Sequence, residues 1–408
     1  MWCAGGTVRR EEPTVRRPAV TAALAAASLA LTAACAGGPA SSGGDTGGQT
    51  APGSAEPTAD APASPTADAP RTEPEPPPAE GAVEVGGTVA TGLESPWGLA
   101  PLPGGDLLVS SRDQGTISRV DADSGEVSEV GTVPGVEPGG EGGLLGITLG
   151  TGDAQDYLYA YFTSASDNRV VRMAYDAADP GAELGAPDIV VRGIPRAQIH
   201  NGGRIAFGPD GMLHIGTGDA NQRGAAQDPD SLAGKILRVQ PDGSAPEEGN
   251  LAEGSRVLSL GHRNVQGLAF DGAGRLWASE FGQNTWDEVN LIEPGGNYGW
   301  PEVEGRAGAD GFVDPVAQWR PEEASPSGLA WAQGSLWLAS LRGERLWRIP
   351  LDRTELVADP QAFVAGEYGR LRTVVADSGD ELWLMTSNTD GRGTPEGEDD
   401  RILKLTVQ

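Results

Sequence analysis

The chain has 408 residues, with 58 acidic against 29 basic side chains, a formal net charge of −29, 61 glycines and 32 prolines. That excess of carboxylates repels a phosphate backbone, and no run of Lys or Arg offers a local exception, so nucleic acid is set aside as a partner. The only two cysteines, Cys3 and Cys35, precede any segment able to fold, which excludes a disulfide within the folded part.

Taken in chain order, Arg16 and Arg17 precede a small apolar run from Ala19 to Ala34, the charged and apolar parts of an export signal. The run closes on LTAAC. A cysteine after small residues resembles a bacterial lipoprotein cleavage box, so residues 1–35 are expected to be a signal peptide ending at a lipidated Cys35. An ordinary signal peptide with an incidental cysteine is the alternative. Residues 36–81 are Gly, Ser, Ala, Thr, Pro and Glu with almost no large apolar side chain, which reads as a disordered, extended tether. No later stretch is apolar for long enough to cross a bilayer, so the mature protein is expected outside the cytoplasmic membrane, touching it only through the lipid on Cys35.

From residue 82 to 408 the pattern changes to short apolar alternations separated by Gly, Asp and Pro. These fall into six recurring units, beginning near Trp97, Leu144, Gly203, Gly267, Gly328 and Thr373. Each runs from an apolar strand through a turn such as PGG or PDG into further strands, and most close on a strand containing Arg. Four strands per unit make one blade, and six units close a ring. The expected fold is therefore all-β, a six-bladed β-propeller with four-stranded antiparallel blades. The segment GAVEVGGTVATGL is expected to pair with the last blade.

Only three histidines are present. His214 lies inside the strand MLHIGTG and reads as a packed residue. His200, in QIHNGGR, sits just before a blade's first strand, where an imidazole could serve as a general base. His262, Arg263 and Asn264 occupy the next such junction, either as anion-binding groups or as a tie between blades. Arg342, Arg370 and Arg372 are placed in blade-joining turns, where convergence on the channel would make an anion site in an otherwise acidic protein. The segment FGQNTWDEVNLIEPGGNYGW gathers Asp287, Glu288, Asn290 and turn carbonyls, hard oxygen ligands that suit Ca²⁺. Solvated loop carboxylates would read the same way.

The motifs GEGGLLG, IHNGGRIAFGPDG, GKILRVQPDG, LGHRNVQGLAF, DEVNLI and GGNYGWP resemble, in order, those of the glucose/sorbosone dehydrogenase family. The resemblance implies a dehydrogenase dependent on pyrroloquinoline quinone (PQQ) and Ca²⁺, oxidising the anomeric carbon of aldose sugars to lactones and passing electrons to an external acceptor such as a quinone, a cytochrome or a dye. It casts His200 as the base that takes the anomeric proton, Arg263 and Asn264 as PQQ contacts, and Arg342, Arg370 and Arg372 as the cations that hold the cofactor. Arg263 would also stabilise developing negative charge. Gly282 and Gln283 are similar to positions whose carbonyls bind Ca²⁺, and Glu288 with the Tyr298 carbonyl to a further calcium site. Three departures bear on the sugar range: Glu141 stands where the family often has glutamine near the quinone, Arg342 where its best-studied branch has lysine, and Ile199 where that branch has an acidic residue. Two other readings share the fold, a calcium-dependent lactonase and a non-catalytic propeller that binds carbohydrate or protein.

Overall fold

The computed structural model describes residues 75–377 and 379–408. The signal segment, Cys35 and the tether as far as residue 74 lie outside the described residues. The chain opens with β1 (Val83–Ala90) and then builds six sheets in sequence. The first blade is β2 (Pro96–Pro101), β3 (Leu107–Ser111), β4 (Thr116–Val120) and β5 (Val127–Thr132). The second is β6 (Leu144–Leu149), β7 (Tyr157–Thr163), β8 (Asn168–Ala174) and β9 (Asp188–Ile194). The third comprises β10 (Ile205–Phe207), β11 (Leu213–Gly216), β12 (Lys235–Val239) and β13 (Val257–Leu260). In the fourth are β14 (Val265–Phe270), β15 (Leu276–Glu280), β16 (Asp287–Ile292) and β17 (Ala317–Trp319). The fifth holds β18 (Pro326–Ala332), β19 (Ser335–Ser340) and β20 (Arg345–Asp352), with β21 (Glu355–Leu356) and β22 (Gln361–Phe363) both paired to β20. The sixth is β23 (Leu371–Ala376), β24 (Glu381–Thr386) and β25 (Ile402–Val407), completed from the other end of the chain by β1.

The expected six-bladed propeller is therefore what the chain forms. Its closure is antiparallel pairing of β1 with β25, from Val83 opposite Val407 to Ala90 opposite Ile402. Pairing the first strand into the last sheet stitches the ring shut without an exposed seam between first and last blades.

Apolar alternation puts one set of side chains on each face of every blade, and in a ring those faces can be covered only by the two neighbouring blades. The core accordingly divides into six clusters, one at each blade–blade contact. Trp337 is fully buried between the fifth and sixth blades, and Tyr159 and Tyr161 between the second and third. The repeated Gly-Leu-Ala of the innermost strands has a steric cause. A Cβ at Gly98 would lie 2.8 Å from the Leu145 carbonyl oxygen, and one at Gly267 would lie 2.3 Å from that of Ser327. Innermost strands approach closely near the axis, and only glycine fits there. A buried serine tightens the same contact: Ser110 Oγ accepts the Gly98 N–H at 2.7 Å and donates to the Leu145 carbonyl at 2.6 Å.

His214 is a packed core residue on β11, its ring edge-on to Phe270 at 5.1 Å. Burial pushes its imidazole well below the usual range, so it stays neutral. At the start of the described chain, Arg348 donates to the Pro78 carbonyl at 2.9 Å and the Gly81 N–H to Gln361 Oε1 at 2.9 Å, laying residues 78–81 along the fifth blade.

Candidate active site

All six innermost strands begin at the same end of the ring. The loops entering them and the hairpins between each blade's second and third strands therefore share one face. These bring Arg112, Glu141, Arg342, Arg370, Asp390 and Arg392, together with Arg372 from the start of β23, around a single cavity of about 300 Å³ with Trp97, Gln266 and Phe281. Five guanidiniums against two carboxylates leave it cationic within a chain of net charge −29.

Glu141, Arg342, Arg370 and Arg372 thus meet, although they do not come from equivalent positions. Only Arg370 lies in a blade-joining turn; Arg342 is in the β19–β20 hairpin and Arg372 within β23, because the apolar spacing of YGRLRT begins the strand at Leu371. Asp390 binds two of them, its Oδ2 accepting Arg370 Nη2 at 2.9 Å and Arg372 Nη2 at 3.1 Å. Burial alone would raise the Asp390 carboxyl; the two guanidiniums outweigh it and hold it below the ordinary range. Arg372 is 4% exposed, and burial lowers its pKa to about 10. Its Nη1 also donates to Gln266 Oε1 at 3.1 Å. Arg342 is exposed at the rim and has no hydrogen-bond or ion-pair partner among the described residues.

His200 sits beside this cavity with a left-handed backbone, φ 59°, and is 8% exposed. Its N–H donates to Glu141 Oε2 at 2.8 Å, and Glu141 Oε1 accepts Arg392 Nη2 at 2.8 Å. Its Nδ1 lies 2.7 Å from Asp219 Oδ1, and Asp219 Oδ2 accepts Trp300 Nε1–H at 2.9 Å. Burial works to raise the Asp219 carboxyl, but its hydrogen bonds to His200 and Trp300 prevail and keep it ionised. An anion at Nδ1 fixes the tautomer with the proton there, leaving Nε2 as the acceptor. Asp219 is the orienting carboxylate that Ile199 cannot supply, and neither it nor Trp300 was picked out from the sequence. The only signal was an acidic residue among small ones at the end of β11, in GTGDA.

The remaining candidates gather around a second, very small cavity of about 10 Å³ lined by Arg263, Glu280, Gly282, Glu288, Tyr298 and Glu304, among others. Glu288 and Glu280 are both buried, and Asn290 Nδ2 bridges them at 3.2 and 3.1 Å while its own Oδ1 is buried without a partner among the described residues. Burial, then the neighbouring Glu280, pushes the Glu288 carboxyl well above the usual carboxylate range. Asp287 is engaged by the Gly282 and Ser325 N–H groups at 2.9 and 2.7 Å. Glu304 Oε1 accepts the N–H groups of Gln283, Asn284, Thr285 and Trp286, so one carboxylate gathers the whole turn. Among the described residues no three His, Cys, Asp or Glu side chains form a metal cluster, so an ion here must draw on backbone carbonyls as well. Arg263 donates to the Phe281 carbonyl at 3.3 Å, its Nε is buried without a partner among the described residues, and its Cζ lies 5.4 Å from the Trp300 ring centroid. Asn264, 2% exposed, accepts the Gly202 N–H at 2.9 Å and lines neither cavity. His262 is fully buried between Ser259 Oγ at 2.8 Å and Glu280 Oε1 at 3.1 Å, a tie between blades.

Known proteins of similar sequence and fold include sugar dehydrogenases. The chain is similar to a PQQ-bound aldose sugar dehydrogenase from Streptomyces coelicolor, 67% identical over 81% of this chain and 100% of that one, with a TM-score of 0.79. It is 31% identical to quinoprotein glucose dehydrogenase B of Acinetobacter calcoaceticus and 31% to an aldose sugar dehydrogenase of Escherichia coli K12. Each of these two matches covers 55% of this chain, and they span 54% and 64% of the respective relatives. The sequence profile of the family described as Glucose / Sorbosone dehydrogenase matches residues 93–398, and the chain belongs to that family.

Proposed function

We propose that the protein is a PQQ- and Ca²⁺-dependent dehydrogenase that oxidises the anomeric carbon of aldoses to lactones and delivers the electrons to an external acceptor. The observation that carries this reading is the Asp219-oriented His200 beside a cavity of five arginines. PQQ is a flat tricarboxylate bearing a quinone, and a cationic cavity of about 300 Å³ has the charge and size to take it. Arg342, Arg370 and Arg372 would hold its carboxylates and oxygens, with Glu141 as a further contact; Arg263, on the small neighbouring cavity, and the buried Asn264, which holds the Gly202 N–H, would act from beside the cofactor rather than line its cavity. The 10 Å³ cavity, the buried Glu288 and the unpartnered Asn290 Oδ1 suit one small hard cation. We assign that cation, a calcium, to Glu288 and the Tyr298 carbonyl, and a second calcium outside this cavity to the Gly282 and Gln283 carbonyls.

Bound together, quinone and calcium would supply the two-electron acceptor and its polarisation. The chain's own part is to orient and to move a proton. His200 Nε2 accepts the anomeric hydroxyl proton, Asp219 stabilises the resulting imidazolium, and Trp300 keeps Asp219 in place. Arg263 contributes a fixed positive charge where negative charge develops on the reacting oxygen. A lactonase would have no use for the arginine cavity.

Ca²⁺ that binds only the folded protein should stabilise it, by about 2.7 kcal/mol at a hundredfold excess over Kd. Calorimetry of the PQQ-free protein is expected to show this, and Glu288→Gln should lose most of it. An equal calcium response in the variant would remove Glu288 from the metal site.

We further propose that the protein is exported and held at the outer face of the cytoplasmic membrane by a lipid on Cys35. No helix among the described residues is long and apolar enough to cross a membrane. Cys35→Ser is expected to move the protein from the membrane fraction to the soluble fraction or medium; unchanged fractionation would refute the anchor.

A further inference from the structure

We propose that the far mouth of the propeller channel, opposite the arginine cavity, binds a small monovalent anion, a halide or a short-chain carboxylate, against the side chain of Arg204. The channel opens there into a cavity of about 240 Å³, walled by apolar residues of the innermost strands such as Ala100, Leu149, Ala206, Leu268 and Val374. Among the described residues Arg204 is the only charged one lining it, and Thr148 and Thr151 are the only other polar side chains.

The arginine is unusually placed. It is 7% exposed and has no ion-pair partner among the described residues. Nε donates to the Gln266 carbonyl at 2.8 Å and Nη2 to Thr373 Oγ1 at 3.0 Å, while Nη1 has no partner among the described residues. Its Cζ lies 4.4 Å from the Trp97 ring centroid. Trp97, Gln266 and Arg372 all line the other cavity, so Arg204 forms part of the wall between the two. The charge interacting with it is Arg372, of the same sign.

This nearly buried cation has only neutral hydrogen-bond partners and a like-charged neighbour, so it lacks a counter-charge; burial lowers its pKa, yet only to about 9, so it stays charged at neutral pH. The missing partner is negative. One positive charge in an apolar chamber favours a monoanion over a dianion, and a weakly hydrated ion over fluoride, which resists dehydration. An anion there also offsets the repulsion between Arg204 and Arg372, giving the far mouth an electrostatic link to the arginine cavity. The inference does not rest on the dehydrogenase reading, because neither PQQ nor Ca²⁺ enters its test.

The test is a thermal-unfolding titration of the full chain with sodium bromide, ionic strength being held constant with sodium fluoride. The expected result is a saturable rise of about 2 °C in the wild type that disappears in Arg204→Gln and in Ala206→Phe. The second variant fills the cavity while leaving the arginine in place, and it decides the matter should the first fail to fold. Butyrate replacing bromide in the same titration distinguishes the sources: a tighter, competing response identifies a carboxylate as the better occupant, and a weaker one a halide. A bromide-soaked crystal should show an anomalous peak within hydrogen-bond distance of Arg204. A response that does not saturate, one that persists in Ala206→Phe, or the absence of that peak overturns the proposal.

Discussion

Replacing His200 by alanine is expected to lower kcat/KM for aldose oxidation by about 10²–10⁴-fold, the usual contribution of a positioned general base. The loss should fall on the chemical step. The His200 backbone N–H that binds Glu141 survives the substitution, so the cationic cavity keeps its shape and PQQ affinity should change little. His200→Asn is the better-behaved companion, because asparagine tolerates the left-handed backbone at φ 59° more readily than alanine. Asp219→Asn should reproduce much of the defect with the imidazole still present, since an amide oxygen neither fixes the tautomer as firmly nor stabilises an imidazolium. Dye-linked steady-state kinetics across pH would separate the cases. Wild-type turnover in His200→Asn would remove the base from the account.

Asp390→Ala is expected to cost about 3–5 kcal/mol of stability, because it strips two guanidiniums of a shared buried partner. Arg372 is 4% exposed and would keep only Gln266 and Ser387 as side-chain partners, while Arg370 would lose its only ion pair among the described residues. The Arg392 N–H would also lose its acceptor, Asp390 Oδ1 at 2.9 Å. Asp390→Asn should cost less, since one carbonyl oxygen still accepts. Urea unfolding would measure both, and a cost below about 1 kcal/mol for Asp390→Ala would mean that water reaches these arginines freely.

The architecture was legible because its signals are local. Turns such as PGG and PDG recur between apolar alternations, and GLA repeats where innermost strands touch, so six units can be read directly from the chain. Even the closure by β1 could be foreseen, since the last unit lacked a strand and the first segment was spare. The site was legible only in part. Arg342, Arg370 and Arg372 stand out as rare cations in an acidic chain, and resemblance placed them around one cofactor. Their partner Asp390 does not stand out, because an aspartate in NTDGRG looks like any solvated loop acid. Asp219 and Trp300 are harder still, lying 81 residues apart on different blades and meeting only when the ring closes. His200 drew attention by its loop position, whereas what makes it a base is a carboxylate 19 residues away that no pattern in the sequence ties to it.

The most direct test of the dehydrogenase reading is reconstitution. Purified protein freed of PQQ is given PQQ and Ca²⁺, separately and together, and aldose-dependent reduction of an artificial dye is followed in wild type and His200→Ala. Activity that requires both additions and is lost in the variant is the predicted result. No activity with both present, together with no quinone absorbance retained after desalting, would contradict the account and leave a propeller that binds its ligand without oxidising it.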